Sequence, residues 1–228
     1  MFYKDYVGNY TNNNDPYKGW QLDVSLENIY NGNSNVIICG LETIGNERMF
    51  ELTQSNKFGK LYKNNIPGFD QFVLNGHLED TTNFIVDKVI PLLKEKYNIS
   101  DYIGVGGSSA GGNASYYIGL KHNEIFKYVL SFSPVMGFFS NETLIDFYNK
   151  IEDKNSLPYL MFCTGKEGDL ETIINVTNKR VIKLLVDTIG YPKEKIYQYF
   201  ENKHTHNEIL WRYGFSYFMD ILNDIKQK

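Results

Sequence analysis

The sequence predicts an α/β fold with a mostly parallel sheet covered by helices on both faces. Three observations support this. Short β-branched apolar runs alternate with longer amphipathic stretches along most of the 228 residues, the pattern of successive βαβ units. The apolar runs are nearly continuous rather than alternating, as expected of strands buried on both faces. The hydrophobic fraction of 42% suits one sizeable core, so residues 1–228 are read as a single domain.

Taken in chain order, the Asn-rich segments YTNNNDPYKG and NIYNGNSN read as turns, because Asn, Gly and Pro supply the backbone angles that interrupt regular structure. Strands are predicted at Asn35–Cys39, Tyr102–Gly106, Tyr128–Phe132, Pro158–Cys163 and Lys195–Phe200, each a compact apolar run. Helices are predicted between and after them, at Thr81–Tyr97, Ser109–Lys121, Glu142–Ile151, Glu171–Ile189 and His206–Ile225. Open sheets of this kind bind ligands beyond the carboxyl ends of their strands. The segments to inspect are therefore Gly40–Thr53, Gly107–Gly111, Ser133–Phe139, Thr164–Asp169 and Glu201–His206.

Composition narrows the partners. A formal net charge of −4 with scattered Lys and Arg provides no basic field for nucleic acid or an anionic membrane, so neither is expected as a partner. No apolar run reaches the length of a membrane span, and MFYKDYVGNY lacks the pattern of a signal peptide. Cys39 and Cys163 lie within apolar runs and read as buried free thiols in a reducing, cytoplasmic compartment.

The run GVGGSSAGG raises the question of chemistry. A dinucleotide fingerprint fails, because the sixth position from Gly104 is Ser109, and a Walker loop fails for want of Gly-Lys-Ser or Gly-Lys-Thr. The pattern G-x-S-x-G fits as Gly107-Ser108-Ser109-Ala110-Gly111, between a predicted strand and a predicted helix, which makes Ser109 the serine of a nucleophile elbow. Glycines two residues to either side would relieve crowding in so tight a turn. Ser108 would need Gly106 and Ala110 in those roles, a poorer fit. At the helix N-terminus the Ala110 N–H can face a developing oxyanion.

A serine hydroxyl needs a base, and the base a carboxylate. After the run PYLMFCTG come Glu167 and Asp169; after IYQYFE come His204 and His206. His77 precedes the elbow, and His122 fits a helix C-terminus. The residues alone leave His204 and His206 open. They suggest neither a metal nor another cofactor.

ERMFELT, VGGSSAGG, VLSFSPVM, TGKEGD and HNEILWR, in this order, resemble the esterase family of α/β-hydrolases that includes enterochelin-esterase-like, feruloyl-esterase-like and mycolyltransferase-like proteins. The resemblance runs from about Trp20 to the C-terminus. It implies an α/β-hydrolase three-layer sandwich and a serine esterase that cleaves small-molecule carboxylic esters through an acyl-enzyme. An acyltransferase and a catalytically inactive binding or scaffold protein are the alternatives. It implies Ser109 as nucleophile and His206 as base, by the match of His206-Asn207-Glu208 to His-Asn-Glu-x-x-x-Trp-Arg, with Trp211 and Arg212 one residue early. Glu167 is the implied acid, from a turn with Thr164 and Gly165 exchanged, and Asp169 is the second choice. The resemblance brings Arg48 near the site as a substrate contact, in competition with a surface salt bridge. Trp20, Phe138 and Phe139 are candidates for lining a pocket, in competition with core packing. Gln54 stands where the family usually has Pro. Family members usually carry an apolar strand and a His-Asp-Gly-Gln-Asn-like loop ahead of the region where Met1-Phe2 stands. The expectation is therefore a chain that starts inside a longer parent, lacking the N-terminal strands of the full fold and contributing only the Ala110 N–H to the oxyanion hole.

Overall fold

The computed structural model describes residues 19–32, 35–43, 45–55, 57–61 and 75–226. Its centre is a four-stranded sheet, all parallel, in the order β1 (Ile103–Ser108), β2 (Phe126–Phe132), β3 (Tyr159–Thr164) and β4 (Ile196–Phe200). Helix α1 is Leu22–Tyr30, and α2 is the single turn Arg48–Glu51. Helices α3 (Leu78–Phe84) and α4 (Ile90–Lys96) are joined by a π turn at Ile85–Val89. Pro91, just inside α4, lacks an N–H and cannot continue the regular ladder, which accounts for the widened turn before it. Helices α5 (Ala110–Lys121), α6 (Asn141–Asn149), α7 (Asp169–Leu184) and α8 (Glu208–Lys226) follow β1, β2, β3 and β4.

Alternation along the strands builds the two flanking layers. Tyr128, Leu130 and Phe132 of β2, with Met161 and Cys163 of β3, face Leu26 of α1 and Leu210, Phe215, Phe218 and Leu222 of α8. Their neighbours Val129, Leu160 and Phe162 face the other way, against Tyr116 and Leu120 of α5, Leu144 and Phe147 of α6, and Ile174 and Val181 of α7. Burial on both sides is the reason these strands read as unbroken apolar runs. A Cβ on Gly119 would collide with Val129, so α5 approaches β2 at backbone distance there.

The expected strands at Tyr102–Gly106, Tyr128–Phe132, Pro158–Cys163 and Lys195–Phe200 all form, with ends displaced by one or two residues. Asn35–Cys39 does not. Val36 and Ile38 pack on the α8-side core while Ile37 is exposed, but the segment pairs with no other strand among the described residues and has no regular structure. Its apolar residues record burial of one side without joining the sheet. The turn expected at NIYNGNSN also begins too early. Leu22, Leu26 and Ile29 form an apolar stripe on α1, and the break comes at Asn31, whose φ of 49° closes the helix. The segment YTNNNDPYKG lies outside the described residues apart from Gly19.

Cys163 is buried as expected, but Cys39 is exposed. It sits in this irregular segment, so the burial inferred from its apolar neighbours is lost with the strand. Burial, and secondarily the nearby Glu171 charge, pushes the Cys163 thiol well above its ordinary value. Titration of native protein with a thiol reagent at mildly alkaline pH should therefore modify Cys39 alone, and Cys163 should react only after denaturant is added. Prompt reaction of both thiols in the native protein would contradict this packing.

Candidate active site

The site is assembled at the carboxyl edge of the sheet. Strand β1 ends at Ser108, and Ser109 turns the chain into α5 with φ 57° and ψ −119°. A left-handed φ at a non-glycine residue costs on the order of 1–3 kcal/mol, and the surrounding structure must hold it. Here the Ser109 N–H donates to the Phe132 carbonyl at 2.8 Å, and the Ser109 carbonyl accepts from the Asn113 N–H at 3.1 Å. Gly107 explains why the turn can be so tight. A Cβ on it would lie 2.7 Å from the Gly111 backbone, and one on Gly112 would lie 2.9 Å from the Phe132 carbonyl oxygen. Gly111 itself differs from expectation, since a Cβ there meets nothing within 4 Å. The crowding falls on Gly107 and Gly112, with Gly111 contributing backbone rather than an empty side-chain position. Ser108 is the last residue of β1, so Ser109 is the serine at the bend. Ala110 is the first residue of α5, and its N–H has no acceptor within the helix.

The ladder continues beyond the assigned strands. The Ser133 N–H donates to the Cys163 carbonyl at 2.7 Å, and the Glu201 N–H to the Thr164 carbonyl at 3.1 Å. These bonds fix the starts of the loops after β2 and β4. The His204 carbonyl accepts from the N–H groups of Lys166 and Glu167 at 3.3 and 3.2 Å, which clamps the loop after β4 onto the loop after β3. A Cβ on Gly165 would collide with the His204 carbonyl oxygen and come within 3.1 Å of Glu171 Cγ. Glycine is therefore what lets the two loops close.

The clamp delivers His206. Its Nδ1 lies 2.7 Å from Glu171 Oε2, with the glutamate side chain 0% exposed and the imidazole 18% exposed. The carboxylate is dry, and the imidazole stays partly accessible. An ionised carboxylate only accepts hydrogen bonds, so Nδ1 carries a proton, and in the neutral imidazole the lone pair is therefore on Nε2. The other Glu171 oxygen, Oε1, accepts from the Ser133 hydroxyl at 2.8 Å and the Gly165 N–H at 2.7 Å. Glu171 also stands in the first turn of α7, where the helix dipole favours an anion. Three donors and a helix terminus offset the cost of burying this charge.

The carboxylate that meets His206 is Glu171, not either of the two acids expected from the sequence. Glu167 and Asp169 are exposed, and the carboxylate on His206 comes from one turn further on. Sequence reading missed it by treating Glu171 as the first residue of a helix. The available signal was periodicity: Glu171, Ile174, Asn178, Val181 and Leu185 lie on one face of the helical stretch and are all buried, so a carboxylate opens an otherwise inward-facing stripe. Of the remaining histidines, the His204 ring packs beside Tyr213, His77 precedes α3, and His122 caps the end of α5 with its ring against Glu124.

Ser109 and His206 occupy the same sheet edge. Phe132 accepts the Ser109 N–H, its neighbour Ser133 donates to Glu171, and Glu171 holds His206. Among the described residues no hydrogen bond joins the Ser109 hydroxyl to the imidazole. Arg48 lies on the opposite flank of the elbow, its Nη2 donating to the Ser108 carbonyl at 3.4 Å. Burial pushes the guanidinium below its ordinary value. No carboxylate forms an ion pair with it among the described residues, so the expected surface salt bridge is not found. Trp20 packs edge-on against Phe132 with centroids 4.8 Å apart and beside Trp211 at 5.7 Å. Phe138 and Phe139 are buried in the core.

The sequence profile of the family described as "Putative esterase" matches residues 19–182. The chain belongs to this esterase family. A search of curated proteins gives no match. Among solved structures it is similar to the enterobactin esterase FES from Shigella flexneri in the presence of 2,3-di-hydroxy-N-benzoyl-glycine, with TM-score 0.52 and 22% identity, over 64% of this chain and 38% of that one. It is also similar to the siderophore hydrolase EstB from Aspergillus nidulans, with TM-score 0.54 and 19% identity, over 77% and 65% of the two chains. A third similar structure is an IroE-like serine hydrolase from Shewanella oneidensis, with TM-score 0.56 and 16% identity, over 76% and 57%. The fold of this esterase-family chain is that of the α/β-hydrolases, and the chain spans less than two thirds of each of these structures.

The glycine geometry makes the elbow testable by stability. Gly107→Ala should destabilise the protein by about 1–3 kcal/mol through overpacking. Gly111→Ala, in a helix with open space, should be neutral or stabilising by up to about 1 kcal/mol. Chemical denaturation of the two variants measures both, and equal losses would contradict the bend described.

Proposed function

We propose that this chain is a serine esterase that hydrolyses small-molecule carboxylic esters, with Ser109 as nucleophile, His206 as general base and acid, and Glu171 as the carboxylate that orients it. The observation that carries this reading is the pairing of the buried Glu171 with the Nδ1 of a partly open His206, on the same sheet edge as the strained Ser109. Family membership supports the same chemistry.

In the first half-reaction the Ser109 Oγ attacks the ester carbonyl carbon as its proton passes to His206 Nε2. The carbonyl electron pair moves onto oxygen, where the Ala110 N–H is placed to stabilise it. Collapse of the tetrahedral intermediate breaks the bond to the alkoxy oxygen, and His206 gives that oxygen its proton. The alcohol leaves and Ser109 carries the acyl group. Water, deprotonated by His206, then attacks the acyl carbon. The second tetrahedral intermediate releases the acid, and the proton returns to Ser109. Glu171 stays ionised throughout and stabilises the imidazolium in both halves. Catalytic hydrogen bonds of unliganded sites commonly tighten only when substrate is bound, which fits the absence of a Ser109–His206 bond here. Arg48, partly buried and without an ion-pair partner beside the elbow, is assigned to the substrate side, where an anionic group or the developing oxyanion would compensate its lost hydration.

A fluorophosphonate probe should label the wild-type protein, and labelling should vanish in Ser109→Ala. On p-nitrophenyl esters, Glu171→Gln should lower kcat by about 10²–10⁴-fold, because the imidazole loses its oriented tautomer. Glu167→Gln and Asp169→Asn should stay within about threefold of wild type, as expected for exposed side chains away from the imidazole. No labelling of the folded wild type would refute the esterase reading, whereas a large loss in Glu167→Gln with an active Glu171→Gln would reassign the acid. Adding an acceptor alcohol to the same assay separates hydrolysis from acyl transfer.

A further inference from the structure

Ser133 is a second strained serine. It follows β2 with φ 44°, one of the few non-glycine residues in the left-handed region among those described, and it is 0% exposed. Ser109 occupies the equivalent place after β1. The proposed reaction gives Ser133 no part, so it leaves the strain and burial of this residue unexplained.

Its hydrogen bonds have a fixed direction. The Trp211 Nε1 lies 2.9 Å from the Ser133 Oγ, and an indole N–H only donates. The hydroxyl oxygen must therefore accept from Trp211. The one hydroxyl proton is left for Glu171 Oε1, at 2.8 Å, and an ionised carboxylate only accepts. The order of donation is therefore Trp211 to Ser133 to Glu171, with His206 donating to the opposite oxygen at 2.7 Å. The chain closes on itself, because the Trp211 ring meets the His206 ring edge-on with centroids 5.2 Å apart. Carboxylate rotation about the last side-chain bond would break the bonds to Ser133 and Gly165 together.

We infer that Ser133, aimed by the Trp211 indole, is a positioning residue that holds the Glu171 carboxylate with Oε2 toward His206. The inference rests on the esterase reading for its kinetic consequence and on geometry alone for its structural one. The positive φ fits this role. An ordinary strand exit at Ser133 would carry the hydroxyl away from the start of α7, whereas the left-handed bend turns the side chain back to it while the N–H keeps its bond to Cys163.

The test uses Ser133→Ala, Ser133→Gly and Trp211→Phe. The glycine variant removes the hydroxyl while relieving the backbone, so it guards against loss of folding at φ 44°. The structural readout is the downfield proton resonance of the His206 Nδ1–H, assigned by its disappearance in His206→Gln. It should be sharp in the wild type, broadened or lost in Ser133→Gly, and weakened in Trp211→Phe, with circular dichroism unchanged. The kinetic readout is a fall in kcat of about 10–100-fold in Ser133→Gly and Ser133→Ala, as for small misplacements of a catalytic group, with KM held within about twofold. Because Trp211 acts through Ser133, the double variant Ser133→Gly/Trp211→Phe should lie within about twofold of Ser133→Gly alone.

A wild-type kcat with an unchanged resonance in Ser133→Gly overturns the inference, as does a wild type with no such resonance. Multiplicative losses in the double variant overturn the part assigned to Trp211. If the wild type proves inactive on every ester and unlabelled by fluorophosphonate, the esterase reading fails, while the resonance in the Ser133 variants still decides whether the serine holds the carboxylate.

Discussion

The rest of the site depends on one buried charge. Glu171 is 0% exposed, and a carboxylate withdrawn from water is tolerated only when its lone pairs are met. The donors that meet them come from the loop after β2, the loop after β3 and the loop after β4, through Ser133, Gly165 and His206. The carboxylate is thus a knot joining three strand ends, and moving any of them leaves an uncompensated charge in the interior. This makes the His206 orientation a property of the sheet rather than of its own loop. It also gives Gly165 its meaning: a side chain there would separate the loops that must meet for the knot to close.

Backbone strain is distributed to match. Ser109 and Ser133 both take left-handed φ values directly after β1 and β2, and each still donates its N–H to the end of the next strand. The sheet ladder continues through the strained residue and holds it on the far side. Two bends that a free peptide would abandon are therefore supported by the most cooperative part of the molecule. One bend presents a hydroxyl to the site and the other directs a hydroxyl into the carboxylate. The same local device, a serine at a strand exit, serves a partly accessible position in one case and a buried one in the other.

What was legible in the sequence was what local sterics or periodicity encode. The elbow was readable because a strained strand-to-helix bend demands small residues at fixed offsets, and the strands were readable as compact apolar runs between helical stretches, with two-sided burial behind β2 and β3. The Asn35–Cys39 segment shows where this fails. Val36 and Ile38 do face a core, but an apolar run reports burial and says nothing about whether a neighbouring backbone is available. Glu171 shows the complementary failure. Glu167 and Asp169 occupy the loop where an acid is ordinarily sought, and the choice among three nearby carboxylates depends on the path of α7 relative to β2 and β3, a long-range fact. Ser133 and Trp211 are 78 residues apart in sequence, and no local rule brings an indole to a serine over that distance. The periodic stripe beginning at Glu171 was the one trace of this arrangement within a single segment.

The two halves of the site are held unequally. The side carrying Glu171 and His206 is tied to three strand ends and backed by Trp211, Trp20 and Phe132 in the core shared with α8. The side carrying Ser109 rests on β1, which stands at the edge of the sheet among the described residues, with Gly104 and Gly106 exposed. Its outer support there is the short α2, through the Arg48 contact to the Ser108 carbonyl, and the Asn113 amide, which bridges the Leu52 carbonyl and the Gln54 side chain at 2.9 Å each. Local opening free energy follows the density of buried contacts and protected hydrogen bonds, so the side carrying Arg48 and Ala110 yields before the side carrying Glu171 and His206. A site built this way keeps the Glu171–His206 pair fixed and leaves local adjustment to the flank that carries Arg48 and Ala110.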